Sequence, residues 1–176
     1  EDGLVGHSVL AAVHAAHLGV LEKEQKKTPK PYLKADEFDK IFRYAGSLPE
    51  GSTRDALDIF LFSFYEFGLR LQDLFLLKWN DIKADKLTKP KYKTAGRGIV
   101  EFPLTPQAAQ ILQRWEGRDA TYVFSPIPKD VAEDDAVRLK RVRFLKNQSI
   151  GRIVSSVAAD LGIKGHITME TALKSF

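Results

Sequence analysis

The sequence predicts a mainly helical domain carrying one small β-hairpin, an α+β fold. Three observations predict it. Apolar residues recur at helical spacing through most of the 176 residues. Glycine and proline punctuate the ends of those runs, where helices stop and start. One stretch reads as two strands, KLTKPKYKT and GIVEFPL, flanking AGRG, with Gly96 and Gly98 supplying the turn.

Taken in order, His7 to Lys23 places Leu10, Val13, Ala16 or His17, and Val20 on one helical face. A lone amphipathic helix has no core of its own, so residues 1–23 are expected to end a separate domain. Residues 24–32, polar and basic with two prolines, read as a linker. A second domain is expected over 33–176. It opens with ADEFDKIFRYAG, a helix with Phe38, Ile41 and Phe42 on one face. RDALDIFLFSFYEF follows, apolar nearly all round and therefore a buried helix, with Gly68 as its stop. LRLQDLFLLKW reads as a further helix ending near Asn80. After the hairpin, TPQAAQILQRWEG is a helix capped by Thr105 with Pro106 at its first position. YVF suggests a short strand, and NQSIGRIVSSVAADLGI a last long helix closed by Gly162.

Composition excludes some classes. Apolar residues make up 44% of the chain, eleven of them Phe, so a sizeable core can be buried. No window approaches the roughly 18 consecutive apolar residues of a membrane span. The absence of cysteine excludes disulfides and thiolate metal sites. No basic segment leading into an apolar run marks a secretory signal. The expectation is a cytoplasmic protein with no metal and no cofactor.

Net charge is +4, unevenly spread. Between Lys83 and Arg97 stand six basic residues against one acid, Asp85. Arg138, Lys140, Arg141, Arg143 and Lys146 form a second cluster. Such clustering suggests a polyanion partner, although on charge alone the solvated faces of a helix and a hairpin account for it more readily.

FSFYEFGLRLQDLFLLKWNDI, Phe62 to Ile82, resembles the first conserved box of the tyrosine recombinases, the phage-integrase family. Gly68-Leu69-Arg70, Asp73 three residues on, and the ending Lys78-Trp79-Asn80-Asp81-Ile82 carry the likeness. The hairpin KYKTAGRGIVEFPL, the helix TPQAAQILQRW, YVFSP and LGIKGHIT follow in family order, so the resemblance covers nearly the whole chain. It implies a catalytic-domain-like fold over 33–176, preceded by the end of a core-binding domain. The implied activity is site-specific recombination or integration of a mobile element's DNA. Its partner would be double-stranded DNA, and its assembly on DNA a tetramer.

Arg70 suits such a task, because a guanidinium holds two phosphate oxygens at once and stays charged. Taken by itself it reads more readily as an i,i+3 ion pair with Asp73. By resemblance Arg70 and Lys93 are catalytic, Lys93 donating a proton to the leaving oxygen, and Asp73 supports the site. Lys91 competes for that lysine role; Lys89, Lys91 and Arg97 read as contacts to the DNA backbone. The family also needs a His-x-x-Arg-His box and a tyrosine that attacks phosphorus to form a 3′-phosphotyrosyl link. Here those box positions hold Glu170, Leu173 and Lys174. Glu170 would repel a phosphate and Leu173 cannot bind one. Two readings stay open. Either the box is ruined, leaving an inactive DNA-binding module, or TALKSF is a family tail brought forward, with Ala172 at the nucleophile position.

Overall fold

Helix α2, Ser52–Tyr65, is the axis of the fold because its sequence offers almost no polar face to turn outward. Every residue from Ala56 to Ser63 is buried, which is where a helix apolar on all sides must sit. The computed structural model describes residues 32–83, 85–90, 99–124 and 135–175. The expected helix at His7–Lys23, almost all of the linker and the AGRG turn lie outside them.

Four helices pack around α2: α1 (Ala35–Ser47), α4 (Pro106–Trp115), α5 (Ala136–Asp160) and α6 (Met169–Lys174). The short α3 (Leu71–Phe75) continues from its C-terminal end. Glu37 closes the start of α1 by accepting from the Lys34 amide at 2.7 Å, as first-turn acids do. The apolar stripe of α1 then delivers Phe38, which stacks on Phe64 with ring centroids 3.5 Å apart and on Phe60 at 5.7 Å. Thr105 caps α4 as its sequence predicts, its hydroxyl accepting from the Ala108 amide at 3.2 Å. That helix sends Trp115 edge-on to Phe124, which meets Phe62 in the same way, both at 5.0 Å. Each such ring contributes about 3–5 kcal/mol against truncation to Ala.

Beyond Phe75 the chain departs from expectation. The helix predicted through Trp79 is only α3, followed by a 3₁₀ turn at Trp79–Asp81. Tertiary pairing takes over the backbone there. Leu77 O accepts from the Val123 amide at 2.9 Å, and the Trp79 amide donates to Thr121 O at 3.0 Å. Asp81 also caps the Lys78 amide at 2.9 Å. The expected YVF strand is accordingly a single bridge between Lys78 and Tyr122.

The hairpin forms as β2 (Lys86–Pro90) against β3 (Ile99–Pro103), antiparallel, with Leu87 opposite Phe102. A two-residue strand, β1 (Ile82–Lys83), adds to its edge in the order β1-β2-β3. The last long helix starts eleven residues before Asn147, because Asp135 caps it by accepting from the Arg138 amide at 2.9 Å. The second basic cluster therefore rides on the first half of α5. Among the described residues no helix is long and apolar enough to cross a membrane.

Candidate functional site

The site is built on the turn that ends α2. Phe67 and Gly68 both take left-handed backbone angles, φ +56° and +72°, and reverse the chain within two residues. Ser63 fastens this reversal three times. Its carbonyl accepts from Gly68 at 2.8 Å and Leu69 at 3.1 Å, and its hydroxyl donates to Leu69 O at 2.7 Å. Glycine at position 68 takes this left-handed conformation without the penalty that a Cβ would bring.

Arg70 comes next, extended, exposed and at the N-cap position of α3. Its carbonyl accepts from the amides of Asp73 at 2.8 Å and Leu74 at 3.1 Å. Among the described residues, no hydrogen bond or ion pair engages its guanidinium. Arg114, Arg118 and Arg54, by contrast, are used structurally. Arg114 is locked to the buried carboxylate of Asp58, which also accepts from Trp115 Nε1 at 3.0 Å. Arg118 bridges Asp55 at 2.7 Å and Glu50 at 3.4 Å while lying over the Trp115 ring. Arg54 donates to Leu48 O. Arg70 thus presents its cation to solvent from a rigid turn.

Glu66, four residues before Arg70, is wholly buried. Its Oε1 accepts from the Thr105 amide at 3.1 Å and from the Thr105 hydroxyl at 3.5 Å. It thereby ties the Arg70 turn to the point where β3 enters α4. Oε2 is buried with no partner among the described residues. Burial pushes the carboxyl up to about 7, although the Thr105 hydrogen bonds pull the other way.

The second-box positions lie on α6, which packs against α2 and α5. Thr168 donates its amide to Thr171 Oγ1 at 3.1 Å, starting the helix. Lys174 Nζ meets Glu170 Oε1 at 2.5 Å, an i,i+4 pair joining two of the three substituted positions to each other. Leu173 is half-buried, and Ala172 is completely buried. The segment is anchored further by Ser175, whose hydroxyl accepts from the Leu33 amide at 3.1 Å and donates to Thr171 O at 2.7 Å. Met169 and Glu170 are consecutive residues of this one helix. His166 is exposed, with Nδ1 3.4 Å from Ser155 Oγ. Together with Asn147, Gln148, Gly151, Arg152, Thr168, Met169 and Glu170, it lines an open cleft of about 520 Å³.

The structure therefore places Arg70 and Asp73 in one turn, and Glu170, Ala172, Leu173 and Lys174 on one helix, both packed against α2. Lys91, Lys93 and Arg97 lie outside the described residues. Lys89 stands in β2 opposite Val100, its side chain outside them too. Two residues escaped the sequence reading, Glu66 and Asp58. Both acids stand within the apolar run from Asp55 to Gly68, and a carboxyl in such a run must find partners or lose its charge. That signal was present in the sequence.

No family model and no curated protein matches this sequence. The fold is similar to the one in the crystal structure of XerA recombinase, with a TM-score of 0.53 over 82% of this chain and 19% identity. The likeness is one of fold. This chain spans 48% of the length of that one.

Proposed function

We propose that this domain binds duplex DNA through its backbone phosphates, on the scaffold of a tyrosine recombinase, without the second-box groups that strand cleavage requires. The observation that carries this reading is the exposed Arg70 guanidinium, unpaired among the described residues and held by the Ser63-fastened turn. An arginine kept as a surface ion pair would sit against Asp73; this one is left to meet an anion from outside. Its planar fork matches two non-bridging oxygens of one phosphate. The hairpin cations Lys89, Lys91 and Arg97 would follow the neighbouring backbone, and residues 1–23 and 24–32 would supply the end of a core-binding domain and its linker. Assembly as a tetramer would take place on DNA.

Cleavage makes further demands. Attack of a tyrosine oxygen on phosphorus builds negative charge on the equatorial oxygens, which a second arginine would share with Arg70. Leu173 offers no charge there. Glu170 brings a carboxylate, and its pairing with Lys174 engages that cation on the protein itself. Complete burial of Ala172 also speaks against that position as a nucleophile's, since an attacking side chain must reach the phosphate. Lys93 could still donate to a leaving oxygen, but a proton donor alone does not cleave.

Fluorescence anisotropy with a mixed-sequence duplex tests the proposal. The protein binds at low salt, and Arg70→Ala weakens binding by about 1.5–3 kcal/mol, the size of a lost charge-assisted contact. Absence of binding at low salt rejects the reading and leaves a helical interaction domain with solubilising charges. A second reading, recombination of mobile-element DNA through a 3′-phosphotyrosyl link, is favoured by the intact Gly68-Leu69-Arg70 and Asp73 arrangement. A nicked suicide duplex separates the two: a covalent adduct lost on Arg70→Ala establishes the enzyme.

A further inference from the structure

The first half of α5 carries a face that the core does not take up. Leu139, Ile150, Val154 and Val157 are buried, while Val137, Phe144 and Leu145 are 81%, 59% and 54% exposed. At helical spacing Val137, Arg141, Phe144 and Gln148 fall on one line with Leu145 beside it, and all five are exposed. Scattered singly, exposed apolar side chains need no explanation; grouped on one helical face they mark a surface that something covers.

Charge on this helix has one sign. From Ala136 to Ala159 it contains no acid, whereas Arg138, Lys140, Arg141, Arg143, Lys146 and Arg152 are basic. Lys140 and Arg141 are exposed, and no ion pair engages either among the described residues. Arg141 stands three or four residues from Val137, Phe144 and Leu145 alike. The cation is therefore set inside the apolar group, not beside it.

Each possible occupant meets this arrangement differently. A DNA backbone would take the cations and leave the three apolar side chains uncovered. A membrane would take the apolar side chains but draw Arg141 into the acyl boundary with them. A second copy in two-fold pairing would set cation against cation. A protein helix with a carboxylate between apolar residues answers both, the acid meeting Arg141 and the apolar residues meeting its neighbours.

We propose that the outer face of α5, from Val137 to Gln148, docks an acidic amphipathic helix of a partner protein. The face is about 16 Å long by helical rise, room for three turns of such a helix. The proposal goes beyond DNA binding and does not use the Arg70 turn.

The test pans the protein against a phage-displayed library of random peptides about four helical turns long. Panning runs at ~0.15 M salt, where loose attraction between exposed charges is screened. Enriched peptides should carry Asp or Glu among apolar residues spaced three and four apart. Their affinity should fall roughly 30-fold for the double variant Phe144→Gln/Leu145→Gln, the size of a lost hot spot at about 2 kcal/mol. Arg141→Gln should weaken the same peptides, and both variants should melt as wild type does. Duplex affinity of Phe144→Gln/Leu145→Gln should be unchanged. No enrichment, enriched peptides without acids, or equal binding by the double variant overturns the proposal. So does a double variant that binds the peptides normally but loses affinity for the duplex, or for phosphatidylcholine vesicles carrying phosphatidylserine, since the face would then serve DNA or a membrane.

Discussion

Replacing Glu66 by glutamine should abolish a pH dependence of stability that the buried carboxyl imposes on the domain. The folded state holds this group at about 7, against an ordinary value of 4.5. Between those two values the folded protein keeps a proton that the unfolded chain has released. The protonated form therefore favours folding fully below about pH 4.5, and that advantage is lost as pH rises through about 7. At ~1.4 kcal/mol per pH unit, the interval corresponds to a loss on the order of 3 kcal/mol. Glutamine retains an oxygen for the Thr105 amide and cannot ionise. The assay is chemical denaturation followed by tryptophan fluorescence, at steps from about pH 5 to about pH 8. The chain's two tryptophans, Trp79 and Trp115, both lie in this domain, so the signal reports the unit that contains Glu66. Wild-type stability should fall relative to Glu66→Gln across that range and run parallel to it above about pH 8. Parallel curves throughout would mean that Glu66 is ionised in the fold and that Oε2 has a partner the geometry does not show.

Other expectations test separate parts of the account. Asp58→Ala should cost about 3–5 kcal/mol, because it strands Arg114 and the Trp115 indole N–H in the interior; a loss under ~1 kcal/mol in denaturant melts would contradict the buried pairing. Ala172→Tyr should destabilise the domain by at least ~1–3 kcal/mol, since a ring must be forced into a filled core. An unchanged melting temperature would reopen that position as the site of a nucleophile. Lys174→Ala should change stability by less than ~1 kcal/mol, as an exposed i,i+4 pair contributes little. Its effect on DNA affinity should be correspondingly small if Glu170 already neutralises the lysine, and a tenfold loss in anisotropy would show a direct phosphate contact.

Much of the fold was legible because local rules and tertiary demands agree in it. The run from Ala56 to Ser63 has no polar stripe, so it could only be a central helix, and Thr105-Pro106 marked the start of α4 to the residue. Legibility failed where distant backbone competes. LRLQDLFLLKW is a good helix by pattern, but Leu77 and Trp79 find strand-like partners in Thr121 and Val123, forty-odd residues away, and no local spacing encodes that. The early start of α5 was missed for a smaller reason: Asp135 sits in an acidic run that reads as a loop, although one member of it is a cap. At the site, Arg70 stood out by its glycine and its acid three residues on. Phe67 did not, because a left-handed angle at an aromatic residue leaves no trace in sequence. Glu66 was visible as an acid in apolar surroundings, but its partner Thr105 is brought to it only by the packing of α4 on α2.

Arg70 holding a DNA phosphate is the central claim. The decisive measurement is duplex affinity against salt, from about 50 to about 200 mM, for wild type, Arg70→Lys and Arg70→Ala. Wild type should lose affinity steeply over this range. Arg70→Ala should reduce the salt slope by about one, and Arg70→Lys should restore the slope but only part of the affinity, because an ammonium cannot bind two oxygens as a fork does. Identical slopes and affinities for all three proteins would contradict the claim.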